Sequence, residues 1–401
     1  MNIRSVTCFV NVGEGAGQAT TVAEAGALAL EVGQALEAAG LGVQTRRLAT
    51  QPLSHLPGEP LALAGRLWAQ CAEAGFHYLS LGPVLATEPE ADLSRLERVP
   101  DLIRGTEAVF AGVLVAAKGR GLHLEAIHRT AGIVREIGQS TELGFGNLRL
   151  AMLANVGAHA PFFPAAYHDG GPPAVAVATE SADLAVAALA GADSLEAARA
   201  RLVTAVEDAA GRIGAAVGPL AEARGFRFPG IDFSLAPFPE EARSIGAAVE
   251  RLGVARFGAA GTLFAASFLT ECLRQARYAR CGFNGLMLPV LEDAVMAARS
   301  REGLFTVNDL LLYSAVCGTG LDTVPLPGDI GEEELAGILL DVAALALRWD
   351  KPLTARLMPV PGARAGDMTT FDFEYFENGR VLDVKGLGSP GVFGRSGWLA
   401  T

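Results

Sequence analysis

A thiol, two carboxylates and a run of glycine and proline fall together in Val316–Asp329, where an apolar helical pattern stops. Cys317 is followed by Gly318 and Gly320, which permit positive φ, and by Pro325 and Pro327, which fix φ and remove backbone donors. The stretch reads as a shaped loop with Cys317 at its tip, a candidate nucleophile or thiol acid/base. Gly318, Gly320 and Asp322 would then meet the substrate's polar groups. Reactivity would need a neighbouring cation or helix N-terminus to depress the thiol pKa; a buried, inert side chain is the commoner state of a free cysteine. Asp329 and, within Pro361–Met368, Asp367 add loop carboxylates suited to a hard divalent cation such as Mg²⁺ or Ca²⁺.

His168 closes Asn155–His168, a turn-rich run that follows an extended stretch and also contains His159. Loops at strand C-termini are where α/β proteins bring side chains to a ligand. His168 is therefore a candidate general base or metal ligand, and Glu180, at the end of the next extended run, could orient it or hold substrate. A locally paired loop histidine is the plainer alternative, and His55, His77, His123 and His128 read as structural or surface groups. Asp232 lies in Gly230–Pro237, an otherwise apolar extended run, where a carboxylate is costly unless paired, hydrogen-bonded or metal-bound. It joins Cys317 and His168 as a catalytic candidate. Glu292 and Asp293 instead fit the favourable start of a helix. Gly13-Glu14-Gly15-Ala16-Gly17, with Arg46-Arg47 further on, approaches a dinucleotide fingerprint, but its spacing is GxGxG rather than GxGxxG. It reads as a flexible turn, and neither NAD nor haem is expected.

Positioning those groups takes a scaffold. About ten extended runs alternate with helical ones, from Ile3–Val10 to Phe371–Val384, the last a hairpin turning at Asn378-Gly379. Such alternation means parallel βαβ units, as an open doubly wound sheet or a closed barrel. No linker divides residues 1–401, so one α/β domain is expected, with a Gly-rich tail over 386–401. At 401 residues and 50% hydrophobic composition the chain can bury a large core. A formal charge of −12 and no basic stripe argue against a nucleic-acid binder. Five scattered cysteines read as reduced thiols. With no signal core and no apolar span, a cytoplasmic, non-membrane protein is expected.

Met1–Thr7, Pro161–His168, Gly230–Pro237, Gly285–Pro289, Cys317–Asp329 and Pro361–Asp367, spread in order over nearly the whole chain, together resemble the domain-of-unknown-function 711 family. Its members are similar in fold to the pyruvate formate-lyase-like glycyl radical enzymes. The resemblance implies a single-domain barrel of about ten strands with surrounding helices and a loop inserted into its interior. It also implies a place for Cys317 on that loop, where the radical enzymes carry their active cysteine. Gly394-Arg395-Ser396-Gly397-Trp398 falls one residue short of the radical motif, which resembles Arg-Val-Ser-Gly-Tyr, and lies close to Thr401. No glycyl radical is therefore expected, and fold similarity alone carries no chemistry.

The reading that follows is an enzyme acting on a small polar metabolite in the barrel interior. Cys317 would be the nucleophile, His168 the proton-transfer group, and Asp232, Asp329 and Asp367 would hold a divalent cation or the substrate. The alternatives are a non-catalytic sensor of a metabolite such as an amino acid, using the same cavity, and a homo-oligomeric structural protein. A homo-oligomer is expected in any case.

Overall fold

The computed structural model describes residues 1–13, 16–385 and 397–400. Eleven strands join in one sheet: β1 (Asn2–Phe9), β2 (Val43–Ala49), β3 (Tyr78–Leu85), β4 (Val109–Ala117), β5 (Gly121–His123), β6 (Leu150–Ala154), β7 (Ala174–Glu180), β8 (Ile231–Asp232), β9 (Gly320–Pro327), β10 (Leu353–Val360) and β11 (Trp398–Leu399). The main order is β8-β7-β1-β2-β3-β4-β6-β10-β9, with β5 and β11 appended beside β4. Neighbours from β1 through β4 to β6 run parallel, as do β7 with β8 and β9 with β10. The two sets meet antiparallel at β1/β7 and β6/β10.

The expected barrel is not closed by a continuous ladder. Between β8 and β9 stand residues 285–290, which make single parallel bridges on either side, Leu235 with Leu286 and Pro289 with Asp322. The glycine-rich tail expected over 386–401 lies largely outside the described residues, as do Glu14 and Gly15 of the glycine-rich turn.

Side-chain alternation with period two divides the core. Val6 and Cys8 of β1, Val109, Ala111, Val113 and Val115 of β4, and Leu353, Ala355 and Leu357 of β10 point outward into one large apolar layer shared with the helices. The helix Leu124–Ser140 shows why such segments cover the sheet. Ile127, Thr130, Ala131, Val134 and Ile137 recur at three- and four-residue spacing and are all buried. The opposite face carries Phe9, Ala49, Phe110 and Ala176, packed on Phe163 and Ala166, and Leu114, Ala151 and Leu153, packed on Ala160 and Ala165. The segment between β6 and β7 is thus the loop that fills the inner face. Gly112 makes room for it: a Cβ there would lie 3.2 Å from the Pro164 carbonyl and 3.1 Å from Leu153.

Two expectations change in physical detail. Val316–Asp329 is not a loop, since Gly320–Pro327 is strand β9. Its prolines are tolerated because β9 has a ladder partner on one side only. Phe371–Val384 is not a strand hairpin either. Asn378 folds it by accepting from the Phe371 amide at 2.8 Å and donating to the Phe371 carbonyl at 3.0 Å. No helix is long and apolar enough to cross a membrane among the described residues.

Candidate functional site

A cavity enclosing about 790 Å³, its open mouth included, lies on the inner face between the strand ends and the inserted loop. Two irregularities in the sheet aim charge at it. In the β1/β7 pairing, Ile3 and Ser5 face the successive residues Thr179 and Ala178, leaving Arg4 as the extra residue of a bulge. In the β9/β10 pairing, Ala355 and Leu357 face Leu321 and Val324, so Asp322 and Thr323 stand against Arg356 alone. Thr323 takes φ 41° there. Both bulges keep the neighbouring apolar side chains outward while delivering Arg4, Asp322 and Arg356 to the interior.

These groups form a chain of buried ion pairs. The Arg356 guanidinium donates to Asp322 at 2.6 Å and to Glu292 at 2.8 Å, all three side chains being almost fully buried. Arg4 pairs with the other Glu292 oxygen and lies 3.6 Å from Glu180, which also pairs with Arg243 and accepts from Gln44. Burial alone would lower the pKa of Arg356, but Asp322 and Glu292 outweigh it and raise it. A network satisfied on this scale fixes geometry more than it adds stability.

Arg47 of β2 differs. It lines the same cavity and donates Nε–H to Thr45 Oγ1 at 2.9 Å, while its guanidinium lies 5.2 Å from the Phe163 ring centre and 5.5 Å from that of Tyr78. Among the described residues, no carboxylate stands within 4 Å of it and no hydrogen bond engages either Nη atom. Burial, followed by repulsion from Arg4, lowers its pKa. It remains cationic at neutral pH, because a guanidinium starts from above 12. Rings of Tyr78, Phe110, Phe162, Phe163, Phe373 and Tyr375 also line the wall.

The groups singled out in the sequence divide among several places. Asp232 borders the cavity, where its Oδ1 accepts from the Ser234 amide and hydroxyl and from the Asn284 amide, and its Oδ2 from the Phe283 amide. Burial raises its pKa against those four donors. Glu180 and Asp322 belong to the ion-pair chain. Glu292 does not start a helix as expected, but is its central acid. Asp293 does cap: it accepts from Val295 and Met296 of the helix Ala294–Arg301 and also from Ile245 and Gly246 of the helix Ile245–Arg251.

Cys317 does not line the cavity; its side chain is buried in the outward apolar layer, and the interior loop is the one carrying Phe162 and Phe163. Gly318 and Gly320 serve close backbone approach. A Cβ on Gly318 would come within 2.3 Å of the Gly285 Cα, and one on Gly320, at φ 97°, within 2.3 Å of the Thr354 carbonyl. His168 stands at the far end of the sheet interior, its amide on the Thr50 carbonyl. The residues of β7 separate it from Glu180 by about 20 Å at ~3.3 Å per residue, so Glu180 does not orient it. Its Nδ1 accepts from the Gly170 amide at 2.8 Å and its Nε2 lies 3.2 Å from the Pro172 carbonyl, which fixes the Nε2–H tautomer.

Asp329 and Asp367 are exposed, and Asp367 closes a turn by accepting from the Arg364 amide. Among the described residues, the potential metal ligands that converge are instead His159, His168 and Asp169. Their arrangement fits a cation poorly. Both His168 nitrogens are engaged, and Arg227 Nη2 lies 3.4 Å from both Asp169 and His159.

The groups the sequence did not single out for this site are Arg4, Arg47 and Arg356. The available signal was a lone arginine inside an apolar extended run, as in Leu353–Val360, which calls for the same reasoning as Asp232.

A family model described as "Uncharacterised ACR (DUF711)" matches residues 1–377. A UPF0210 protein of Pyrobaculum arsenaticum is 35% identical over 82% of this chain and 76% of its own length. One of Methanopyrus kandleri is 31% identical over 89% of this chain and 83% of its own. One of Corynebacterium glutamicum is 25% identical over 90% and 81%.

Proposed function

Since the chain belongs to the uncharacterised DUF711 family, whose description names no activity, we propose a function from the cavity itself: this protein binds a small anionic metabolite inside the sheet, with Arg47 receiving the anion. The observation that carries the proposal is the Arg47 guanidinium, which lines the cavity without a carboxylate partner while Arg4, Arg243 and Arg356 each have one. A half-buried cation without a carboxylate partner is costly, and an incoming anion relieves that cost. No cysteine or histidine lines the cavity among the described residues, which favours recognition over thiol or imidazole chemistry. The two antiparallel-joined sets of parallel strands support reading the sheet as a ten-stranded barrel of the glycyl radical type, residues 285–290 serving as the tenth strand. Calorimetric titration with acetate, glutamate and inorganic phosphate tests the anion site. Arg47→Met is expected to weaken the tightest of them about tenfold to a hundredfold, the loss of hydrogen bonds to a charged group. Binding indifferent to Arg47→Met would sink the reading.

Asp232 supports a second reading, an enzyme. Its Oδ2 accepts a single hydrogen bond and the carboxylate borders the cavity. It could take a proton from the bound ligand, the role suited to a buried acid with a raised pKa. Asp232→Asn would then keep ligand affinity and lose turnover, whereas a sensor would show no turnover in either form.

A further inference from the structure

The charges around the cavity restrict which anion fits. Arg356 is saturated by Asp322 and Glu292, and Arg4 by Glu292 and Glu180. A ligand therefore meets one uncompensated cation, Arg47, with the Glu292 carboxylate close enough to act on it electrostatically. One free cation in front of fixed acids suits a monoanion and penalises a dianion such as phosphate, because like charges brought together in a desolvated site are strongly unfavourable.

The walls restrict what carries the charge. Phe163 and Tyr78 flank the guanidinium, and Phe110 meets both edge-on, at 5.3 Å from Phe163 and 5.2 Å from Tyr78. This packing holds the guanidinium between rings. Phe373 and Tyr375 add two more rings, 5.3 Å apart and each half-buried. They come from the Asn378-folded segment rather than from the sheet. A small aliphatic acid would leave these faces wet, whereas a planar aromatic body fills them with offset or edge-on contacts.

From these two restrictions, and resting on the anion-binding reading above, we infer that the cavity takes a monocarboxylate carried on an aromatic ring: the carboxylate pairs with Arg47, and the ring packs among Phe163, Phe373 and Tyr375.

The test titrates the full chain with phenylacetate, benzoate, acetate and inorganic phosphate by calorimetry. Wild type is compared with Arg47→Met, Arg47→Lys and the double variant Phe373→Ala/Tyr375→Ala, each checked for an unchanged far-ultraviolet spectrum. The expected result is phenylacetate or benzoate binding at least tenfold more tightly than acetate or phosphate. Arg47→Met weakens that binding about tenfold to a hundredfold, and Arg47→Lys weakens it less. The double variant costs the aromatic acids about tenfold and leaves acetate unchanged. Arg47-dependent binding of acetate or phosphate as tight as that of the aromatic acids overturns this inference and leaves the anion-binding reading standing. Absence of any Arg47-dependent binding overturns both. Should the double variant fail to fold, the ratio of phenylacetate to acetate affinity in the wild type decides the matter alone.

Discussion

The guanidinium of Arg356 lies 2.8 Å from the carboxylate of Glu292, a contact between strand β10 and the segment that spans the gap between β8 and β9. Arg356 holds Asp322 at 2.6 Å as well, so it ties together three neighbouring stretches of chain inside the sheet. Removing it leaves the buried Asp322 without a partner and Glu292 with Arg4 alone. Arg356→Leu is expected to lower unfolding free energy by about 3–5 kcal/mol, the usual cost of stranding a buried charge. Adding Asp322→Asn should recover part of that loss, because the stranded charge goes with it. Urea denaturation midpoints of the single and double variants measure both. An Arg356→Leu midpoint equal to wild type would contradict the ion-pair role of Arg356.

Asp293 holds a different junction. One carboxylate accepts from the amides of Ile245 and Gly246, from those of Val295 and Met296, and from the Ser244 hydroxyl at 2.6 Å. It caps two helix N-termini at once, and both helices favour a negative charge there. Asp293→Ala should cost about 1–4 kcal/mol, the sum of two lost caps. Asp293→Asn should cost less, since its carbonyl still accepts. Thermal unfolding of the two variants separates them, and equal losses would contradict the double-cap role.

Much of the scaffold was legible in the sequence, because alternating extended and helical periodicity reports burial directly. Asp232 and the Asp293 cap were legible for the same reason: a carboxylate in an apolar run, or before a helix, has few stable roles. The centre of the site was not. Val316–Asp329 drew attention through its glycines and prolines, yet Gly318 is there for its contact with Gly285 and Gly320 for its contact with Thr354. Those are long-range backbone approaches that no local pattern encodes. Arg4 and Arg356 meet Glu292 only because two bulges turn them inward, and a one-residue shift in register is invisible without the partner strand. The inserted loop was hidden by composition, since Pro161–Pro164 looks like a turn and instead presents Phe162 and Phe163 to the interior.

His159 and His168 supply a pH dependence. Burial is the first cause lowering both pKa values, with Asp169 opposing it and Arg227 adding to it. Near pH 6 the unfolded chain therefore holds more protons than the folded one. Their contribution to stability is complete above the unfolded value of about 6.5 and is lost as pH falls through it towards the folded values. The slope is at most about 1.4 kcal/mol per pH unit for each histidine. Asp232 and Asp293, whose pKa values burial raises, act in the opposite sense above the ordinary carboxylate value. The histidine part is isolated by comparison with His159→Asn/His168→Asn, asparagine being tolerated at the φ of 64° that His159 adopts. Between pH 7.5 and 5.5 the wild type should lose more stability than the double variant. Parallel pH profiles would rule this contribution out.

Cys317 gives the sharpest contrast between position and reactivity. Its thiol is 1% exposed within the apolar layer outside the sheet, and its carbonyl accepts from the Lys351 ammonium. That ammonium is held against the backbone carbonyl, and the thiol is buried among apolar neighbours. Iodoacetamide should modify Cys317 in the native protein at least roughly tenfold more slowly than in urea, because reaction must await opening of the layer. Cys317→Ala should leave anion binding at Arg47 unchanged and cost about 1–2 kcal/mol of stability through the small cavity it leaves. Peptide mass mapping after timed alkylation reads the first expectation, and calorimetry beside denaturation reads the second. Rapid native labelling of Cys317, together with lost ligand binding in Cys317→Ala, would move the functional centre from the arginine-lined cavity to the thiol.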